Sequence, residues 1–308
     1  PACPWAQALK GSSGTGMVRV AFIALCLLAG AHGHAGGTEG RTQRELDPAC
    51  EGGDCDQDAG QQAGPDCCPQ GSWPALEEPA DYAPRGTVST IGDGLPIYFV
   101  GEPGPRAVVV FPEVWGWKGR LKAICDTLAE SGFFVVMPDC HRGDTKDNYK
   151  DIVSFMAKYP YESVVGPDIQ AVVAWLKEER QAESVGAIGF CWGGWALSKA
   201  SAEGVDLKCG VSPHPSVILE QVAFNRDMPE MMSNVKMPIL LMPSKSEDPT
   251  LQPGGEVAAV IAEKGGAVEA FPGMDHGWVT RGDLSIPEVK GDVEKAISNA
   301  IAFFDAKL

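Results

Sequence analysis

Cys191 sits in Gly189-Phe190-Cys191-Trp192-Gly193, a G-x-C-x-G pentapeptide. An apolar, β-capable run (Val185 to Phe190) precedes it, and a helix-like segment closed by Gly204 follows. This is the nucleophile-elbow pattern with sulfur in place of the serine hydroxyl. A nucleophile on a sharp strand-to-helix turn needs strained backbone angles and neighbours without side-chain bulk, which Gly189 and Gly193 supply. The turn puts Cys191 at a helix N-terminus, where partial positive charge favours the thiolate. The next backbone N–H, from Trp192, then points toward the space a carbonyl oxygen would occupy and forms half of an oxyanion hole. The same pentapeptide also arises around a buried structural cysteine, so partners elsewhere in the chain must decide.

An acid and a histidine should follow such a nucleophile, in that order. Only His214 and His276 do. His276 lies in Gly273-Met274-Asp275-His276-Gly277-Trp278, past the last expected strand, and is the candidate base. His214, between two prolines, also follows a strand end and is expected to line the pocket. The candidate acid is Asp248, in Ser244-Lys245-Ser246-Glu247-Asp248-Pro249; adjacent Glu247 is the substitute. Asp275 is a weaker choice, because sequence neighbours rarely orient each other's rings. Asp248 would hold the His276 tautomer, His276 would move protons, and Cys191 would attack carbonyl carbon. Glu113 follows another strand, and the N–H of Val114 beside it is placed to complete the oxyanion hole. Trp115, Trp117, Trp192, Trp195 and Trp278 cluster in sequence around these positions, which suits a broad apolar pocket or a core.

These residues must be carried by a regular scaffold. Apolar runs at Thr87 to Ile91, Leu95 to Val100, Ala107 to Phe111, Phe133 to Met137, Val185 to Phe190, Lys208 to Ser212, Pro238 to Met242 and Ala267 to Phe271 predict strands. Helical periodicity lies between them: Leu121, Ile124, Cys125 and Leu128; Ile169, Val172, Val173 and Leu176; Val257, Val260 and Ile261; Val293 through Phe304. Alternating strands and helices predict an α/β fold, a mostly parallel sheet with helices on both faces. Ligand groups in such sheets gather beyond the carboxyl ends of strands, where every candidate above falls.

From Arg85 to Leu308 the chain resembles the dienelactone hydrolase (carboxymethylenebutenolidase) family. The matching pieces are Glu113-Val114-Trp115-Gly116, Gly189-Phe190-Cys191-Trp192-Gly193-Gly194, Asp248 and Asp275-His276-Gly277. Cys67-Cys68-Pro69 with Gly71 and Pro74 resembles the lead-in of its eukaryotic branch. The resemblance implies an α/β-hydrolase fold, a Cys191-Asp248-His276 triad and an oxyanion hole from the amides of Val114 and Trp192. It implies a resting hydrogen bond from the thiol to Glu113, released when substrate binds. Bacterial members hold a substrate carboxylate with two arginines. Arg281 roughly matches one, but no arginine occurs between Arg142 and Arg180 to match the other. The bacterial substrate is therefore not carried over. Trp115, Arg281, His214 and Trp278 are the candidate substrate contacts, for a small ester or lactone. Neither metal nor organic cofactor is implied, and a monomer is expected.

The 308 residues suffice for one large domain with extensions, and 44% hydrophobic residues can fill its core. A net charge of −16 without a basic run argues against nucleic acid and anionic membranes as partners. Residues 1–16 carry no pattern, and Met17 is a plausible start. Residues 17–35 have secretory signal-peptide grammar: Arg19, an apolar run from Val20 to Gly30 too short for a membrane span, then small residues. This predicts the secretory pathway, or an organelle reached through a two-part leader. Residues 36–84 read as an acidic linker, largely disordered, with eight acids against two arginines from Gly36 to Gln70. Its Cys50, Cys55, Cys67 and Cys68 suit disulfides better than zinc. Residues 85–308 are expected to form the dienelactone-hydrolase-like domain. The alternative function is an inactive α/β-hydrolase domain serving as a binding or assembly subunit, motivated by that extension.

Overall fold

The computed structural model describes residues 67–308. The apolar runs become one sheet of eight strands: β1 (Thr87–Ile91), β2 (Leu95–Val100), β3 (Arg106–Phe111), β4 (Phe134–Pro138), β5 (Ser184–Gly189), β6 (Cys209–Pro213), β7 (Ile239–Met242) and β8 (Ala267–Val268). The helices are α1 (Leu121–Glu130), α2 (Ile152–Lys158), α3 (Gly166–Glu179), α4 (Trp192–Ala202), α5 (Leu219–Val222), α6 (Met228–Asn234), α7 (Glu256–Glu263), α8 (Trp278–Arg281) and α9 (Pro287–Lys307). Strand order is β1-β2-β4-β3-β5-β6-β7-β8. Only the β1–β2 and β2–β4 pairings are antiparallel. The remaining pairings are parallel, as strands joined through helices must be.

Strand β3 shows why the parallel strands read as continuous apolar runs. Ala107, Val109 and Phe111 enter one core, and Val108 and Val110 the other. Side chains alternate across a strand, so a strand covered on both faces must be apolar at every position. Helices α1 and α9 pack on one face through Leu121, Cys125, Leu128, Val293, Ala296 and Phe304. Helix α4 packs on the opposite face and is buried from Trp192 to Ser201. Full burial explains its weak amphipathic pattern, because a helix covered all round needs no polar side.

The last strand is shorter than its sequence run. β8 pairs at Ala267 and Val268, and Phe271 makes a single bridge to Ser244. The chain there turns inward to carry the His276 loop. Helix α2 falls just beyond a stretch that looked irregular from His141 to Lys150. Asp151 caps it by accepting from the Ser154 N–H at 2.7 Å.

Residues 67–84, assigned by composition to the linker, lie against the folded body as a strap. Tyr82 and Tyr98 both donate hydroxyls to Asp126, the latter at 2.7 Å, and the Arg85 N–H joins them at 3.1 Å. Lys122 bonds Glu78 at 2.9 Å. The Trp73 N–H donates to the His276 carbonyl at 2.9 Å. The strap needs no apolar core of its own, because its polar anchors are on the body.

The elbow explains its glycines by contact. A Cβ on Gly189 would strike the carbonyl of Gly193, and one on Gly193 the carbonyl of Phe111 on β3. Neither backbone atom can move without breaking the sheet or the first turn of α4. Gly193→Ala is therefore expected to cost about 3 kcal/mol or more, at the upper end for overpacking. Urea unfolding of the purified variant reads it directly.

Candidate active site

The turn from β5 into α4 holds Cys191 at φ 52°, ψ −114°. A residue with a Cβ pays roughly 1–3 kcal/mol in such a region, and that strain persists only where the surroundings impose it. Here Ser216 N–H bonds the Cys191 carbonyl at 3.0 Å and Gly194 N–H bonds it at 2.9 Å. The side chain of Cys191 is fully buried. Its sulfur meets the Ser216 hydroxyl at 3.4 Å and the Cys68 sulfur at 3.9 Å. Trp192 opens α4, so its N–H has no intrahelical acceptor and is free to serve a ligand oxygen.

His276 lies on the loop after β8, also fully buried. Its Nδ1 is 2.5 Å from Glu247 Oε1. The other oxygen of Glu247 accepts from the Ser244 backbone N–H. That grip fixes the carboxylate, and the carboxylate fixes the ring tautomer with hydrogen on Nδ1. His276 Nε2 has no hydrogen-bond partner among the described residues, and the groups acting on it are Cys191 and Cys68. Burial alone would lower the imidazole, but the Cys191 charge and Glu247 hold it well above its ordinary value. Burial alone would raise the Cys191 thiol, but hydrogen bonds from Cys67 and Cys68 and the His276 charge hold it well below. The two opposed shifts favour the thiolate of Cys191 beside a protonated His276.

Asp248 is not the partner of His276. Its Oδ1 accepts from Thr250 N–H at 2.8 Å and from the Thr250 hydroxyl at 2.5 Å, capping the turn Pro249–Leu251. The exchange has a simple cause. The residue before a Pro-initiated turn is its cap, so the carboxylate reaching His276 is the one nearer β7. Asp275 points outward and pairs with Lys245 at 3.0 Å.

Glu113 also departs from what the resemblance implies. Its Oε2 lies 2.8 Å from Arg281 Nε, both side chains buried, and no hydrogen bond joins it to Cys191. Burial raises the Glu113 carboxyl, Arg281 opposes that, and Cys191 adds to it. Arg281 is committed elsewhere too. It donates to the Trp73 carbonyl on the strap and lies 4.6 Å over the Trp115 ring. It is thus a buried brace between strap and sheet, not an exposed receptor for a substrate carboxylate. Arg281→Ala would strand a buried carboxylate, and breaking such a pair costs about 3–5 kcal/mol. Adding Glu113→Gln should recover part of that loss, a non-additivity that unfolding of both variants would show.

Two more expected pocket residues are interior. His214 is fully buried at φ 36°, its ring 5.1 Å from that of His276 and its Nδ1 3.9 Å from Glu113. Neither ring nitrogen has a hydrogen-bond partner among the described residues, and burial holds the ring neutral, well below its ordinary value. Trp278 is fully buried against Phe271, ring centroids 4.4 Å apart. Val114 and Trp115 do line a cavity of about 270 Å³, whose other wall is the strap: Cys67, Cys68, Pro69, Ser72 and Trp73. A smaller cavity of about 30 Å³ touches Cys67, Ser216, Glu247 and His276. The sequence offered no periodic signal for the strap; Cys67-Cys68 was visible as a pair but not as a neighbour of Cys191. The sulfurs of Cys67, Cys68 and Cys191 all lie within 4.8 Å of one another, a spacing that a thiophilic metal ion could bridge.

A doubly covered, mostly parallel sheet with a thiol on the β5–α4 turn, and an acid and histidine after β7 and β8, defines an α/β hydrolase. Residues 95–308 match the model of the dienelactone hydrolase family. The chain is 24% identical over 241 residues to the hydrolase tropI of Talaromyces stipitatus, covering 72% of this chain and 91% of that protein. It is 27% identical over 212 residues to a carboxymethylenebutenolidase homolog of Mus musculus, covering 65% and 82%. Its fold matches the crystal structure of a putative dienelactone hydrolase from Klebsiella pneumoniae with a TM-score of 0.56 at 18% identity, covering 73% and 99%. The chain belongs to the dienelactone hydrolase family and is an ester or lactone hydrolase of that type. The leader at 17–35, and Cys50 and Cys55, lie outside the described residues. Among the described residues no helix is long and apolar enough to cross a membrane.

Proposed function

We propose that the chain hydrolyses small carboxylic esters or lactones through an acyl-cysteine intermediate, with Cys191, His276 and Glu247 as its triad. The observation that carries this is the strained Cys191 turn opposite a buried histidine locked at 2.5 Å by a buried carboxylate. The Cys191 thiolate attacks the carbonyl carbon, and charge collects on the carbonyl oxygen. The N–H groups of Trp192 and Val114 receive that charge. His276, protonated on Nε2, gives its proton to the departing alkoxide as the carbon–oxygen bond breaks. It then takes a proton from water, which attacks the thioester, and Cys191 leaves as thiolate.

The cavity of about 270 Å³ sits at the lower edge of ligand pockets, which favours a small acyl group. Arg281 and Glu113 neutralise one another, so a substrate carboxylate finds no ready counter-ion there. The signal-peptide grammar of residues 17–35 supports action in the secretory pathway. The test is hydrolysis of p-nitrophenyl acetate by the full chain during titration with iodoacetamide, with the alkylated cysteine mapped. Activity should vanish in step with labelling of Cys191. Activity that survives full labelling of Cys191 would overturn the reading, whereas no activity at the outset, with Cys191 unlabelled, would favour a binding subunit.

A further inference from the structure

Six cysteines of the described body carry no disulfide: Cys67, Cys68, Cys125, Cys140, Cys191 and Cys209. Burial in apolar surroundings raises the Cys125, Cys140 and Cys209 thiols, so these three are inert. Cys68 differs. It arrives on a strap with no regular structure, held by polar anchors on both sides of the site, and its sulfur stops 3.9 Å from that of Cys191. Closing that gap to a disulfide of about 2.05 Å needs a shift of less than two ångströms at a coil segment. Cys67 is nearer still to Cys68, at 3.5 Å. A bond between those two would close a strained ring through their own peptide unit, whereas Cys68 and Cys191 are separated by 123 positions.

We propose that Cys68 is the resolving thiol of Cys191, so that a hydroperoxide converts the pair to a Cys68–Cys191 disulfide that closes the hydrolase site reversibly. This rests on the reading of Cys191 as the nucleophile. In the first step the Cys191 thiolate attacks one peroxide oxygen. A sulfur–oxygen bond forms, the oxygen–oxygen bond breaks, and the departing alkoxide takes the His276 proton to leave as an alcohol, or as water from hydrogen peroxide. In the second step the Cys68 sulfur attacks the sulfenic sulfur. The sulfur–sulfur bond forms, the sulfur–oxygen bond breaks, and hydroxide leaves as water with the Cys68 proton. The two sulfurs lose two electrons in total and the peroxide gains them.

The site suits both steps. A cavity of about 30 Å³ next to the pair touches His276 and Ser216, whose hydroxyl meets the Cys191 sulfur at 3.4 Å, and hydrogen peroxide is little larger than the water such a space holds. In the reduced state the hydrogen bond to the Cys191 sulfur, with burial and the Cys191 charge, keeps the proton on Cys68, pushing that thiol up to about 11. Oxidation of Cys191 removes its thiolate as the acceptor of that hydrogen bond, the largest cause of the rise, and leaves His276 unprotonated and able to take the Cys68 proton. The resolving thiol is thus released for attack only after Cys191 has reacted. The disulfide would pin the strap across the nucleophile until a dithiol reduced it.

The test uses the full chain, reduced, desalted and exposed to hydrogen peroxide at neutral pH. The sample is then capped with N-ethylmaleimide and digested without reduction. A cross-linked peptide joining the Cys67-Cys68 segment to the Cys191 segment should appear in step with loss of p-nitrophenyl acetate turnover. Dithiothreitol should return turnover to its starting value. The Cys67→Ser chain, measured against its own reduced activity, should form the same cross-link and regain turnover with dithiothreitol, which assigns the bond to Cys68. In Cys68→Ser, measured against its own reduced activity, dithiothreitol should restore nothing, and Cys191 should carry sulfinic or sulfonic acid. Sulfinic Cys191 in the unmodified chain, or Cys68 bonded to any cysteine but Cys191, would overturn the proposal and leave the hydrolase reading intact. A Cys191→Ala chain that keeps its turnover would sink the hydrolase reading instead, while the peptide map would still report the bond.

Discussion

Cys191→Ala is expected to lower turnover of p-nitrophenyl acetate by at least about 10⁴-fold, the scale on which loss of a covalent nucleophile falls. No other described thiol can replace it. Cys125, Cys140 and Cys209 are raised by burial, and Cys68 lies on the strap, off the β5–α4 turn that sets Cys191 beside the Trp192 N–H. The fold should persist. Alanine keeps the Cβ that the turn already tolerates at φ 52°, and it removes a fully buried charge whose desolvation is a cost. The urea midpoint should therefore stay level or rise while activity disappears. Turnover near the starting value in a folded Cys191→Ala chain would remove cysteine catalysis altogether. A midpoint that collapses would show the thiol to be a packing element.

The second large effect separates two adjacent carboxylates. Glu247→Gln should reduce turnover by roughly 10³- to 10⁴-fold, as when the acid that orients a catalytic histidine becomes an amide. Asp248→Asn should leave turnover near its starting value and cost about 0.5–2 kcal/mol through the weakened cap. The pH dependence has a definite sign. Glu247 raises His276, and protonated His276 lowers Cys191. Removing Glu247 therefore lowers the imidazole and lets the thiol climb toward its ordinary 9.0. The rate of Cys191 alkylation by iodoacetamide, which follows the thiolate fraction, should fall at neutral pH in Glu247→Gln and recover only at higher pH. The Asp248→Asn profile should overlay that of the unmodified chain. The reverse result, with Asp248→Asn shifted and Glu247→Gln unmoved, would return the acid to Asp248.

These contrasts follow from how the site is assembled. Glu247 and Asp248 are alike in type and differ by one position, so composition could not choose between them. The turn Pro249–Leu251 makes the choice, since its cap consumes Asp248 and leaves Glu247 as the carboxylate within reach of His276. Glu113 and Arg281 are likewise separated by most of the domain in sequence, and each reads alone as a group awaiting substrate. Folding joins them at 2.8 Å, where each cancels the other's availability.

The amino-acid sequence by itself determined the sheet, the turn that carries Cys191 and the place of His276 after the last strand. Those features depend on local rules: apolar runs on strands covered twice, glycines beside a turn that excludes a Cβ, and an order of groups imposed by strand ends. Strands β3 to β7 and the helices that cover them fall close to where periodicity puts them. Only the tertiary structure decided what surrounds Cys191. The strap belongs to the stretch 36–84, whose acidic composition predicts disorder, yet it lies on the body because Asp126, Arg281 and the His276 carbonyl supply its hydrogen-bond partners. Composition reports whether a segment can bury its own apolar surface, not whether another segment offers it partners. That is why Cys68 reads as a linker cysteine in one dimension and stands 3.9 Å from Cys191 in three.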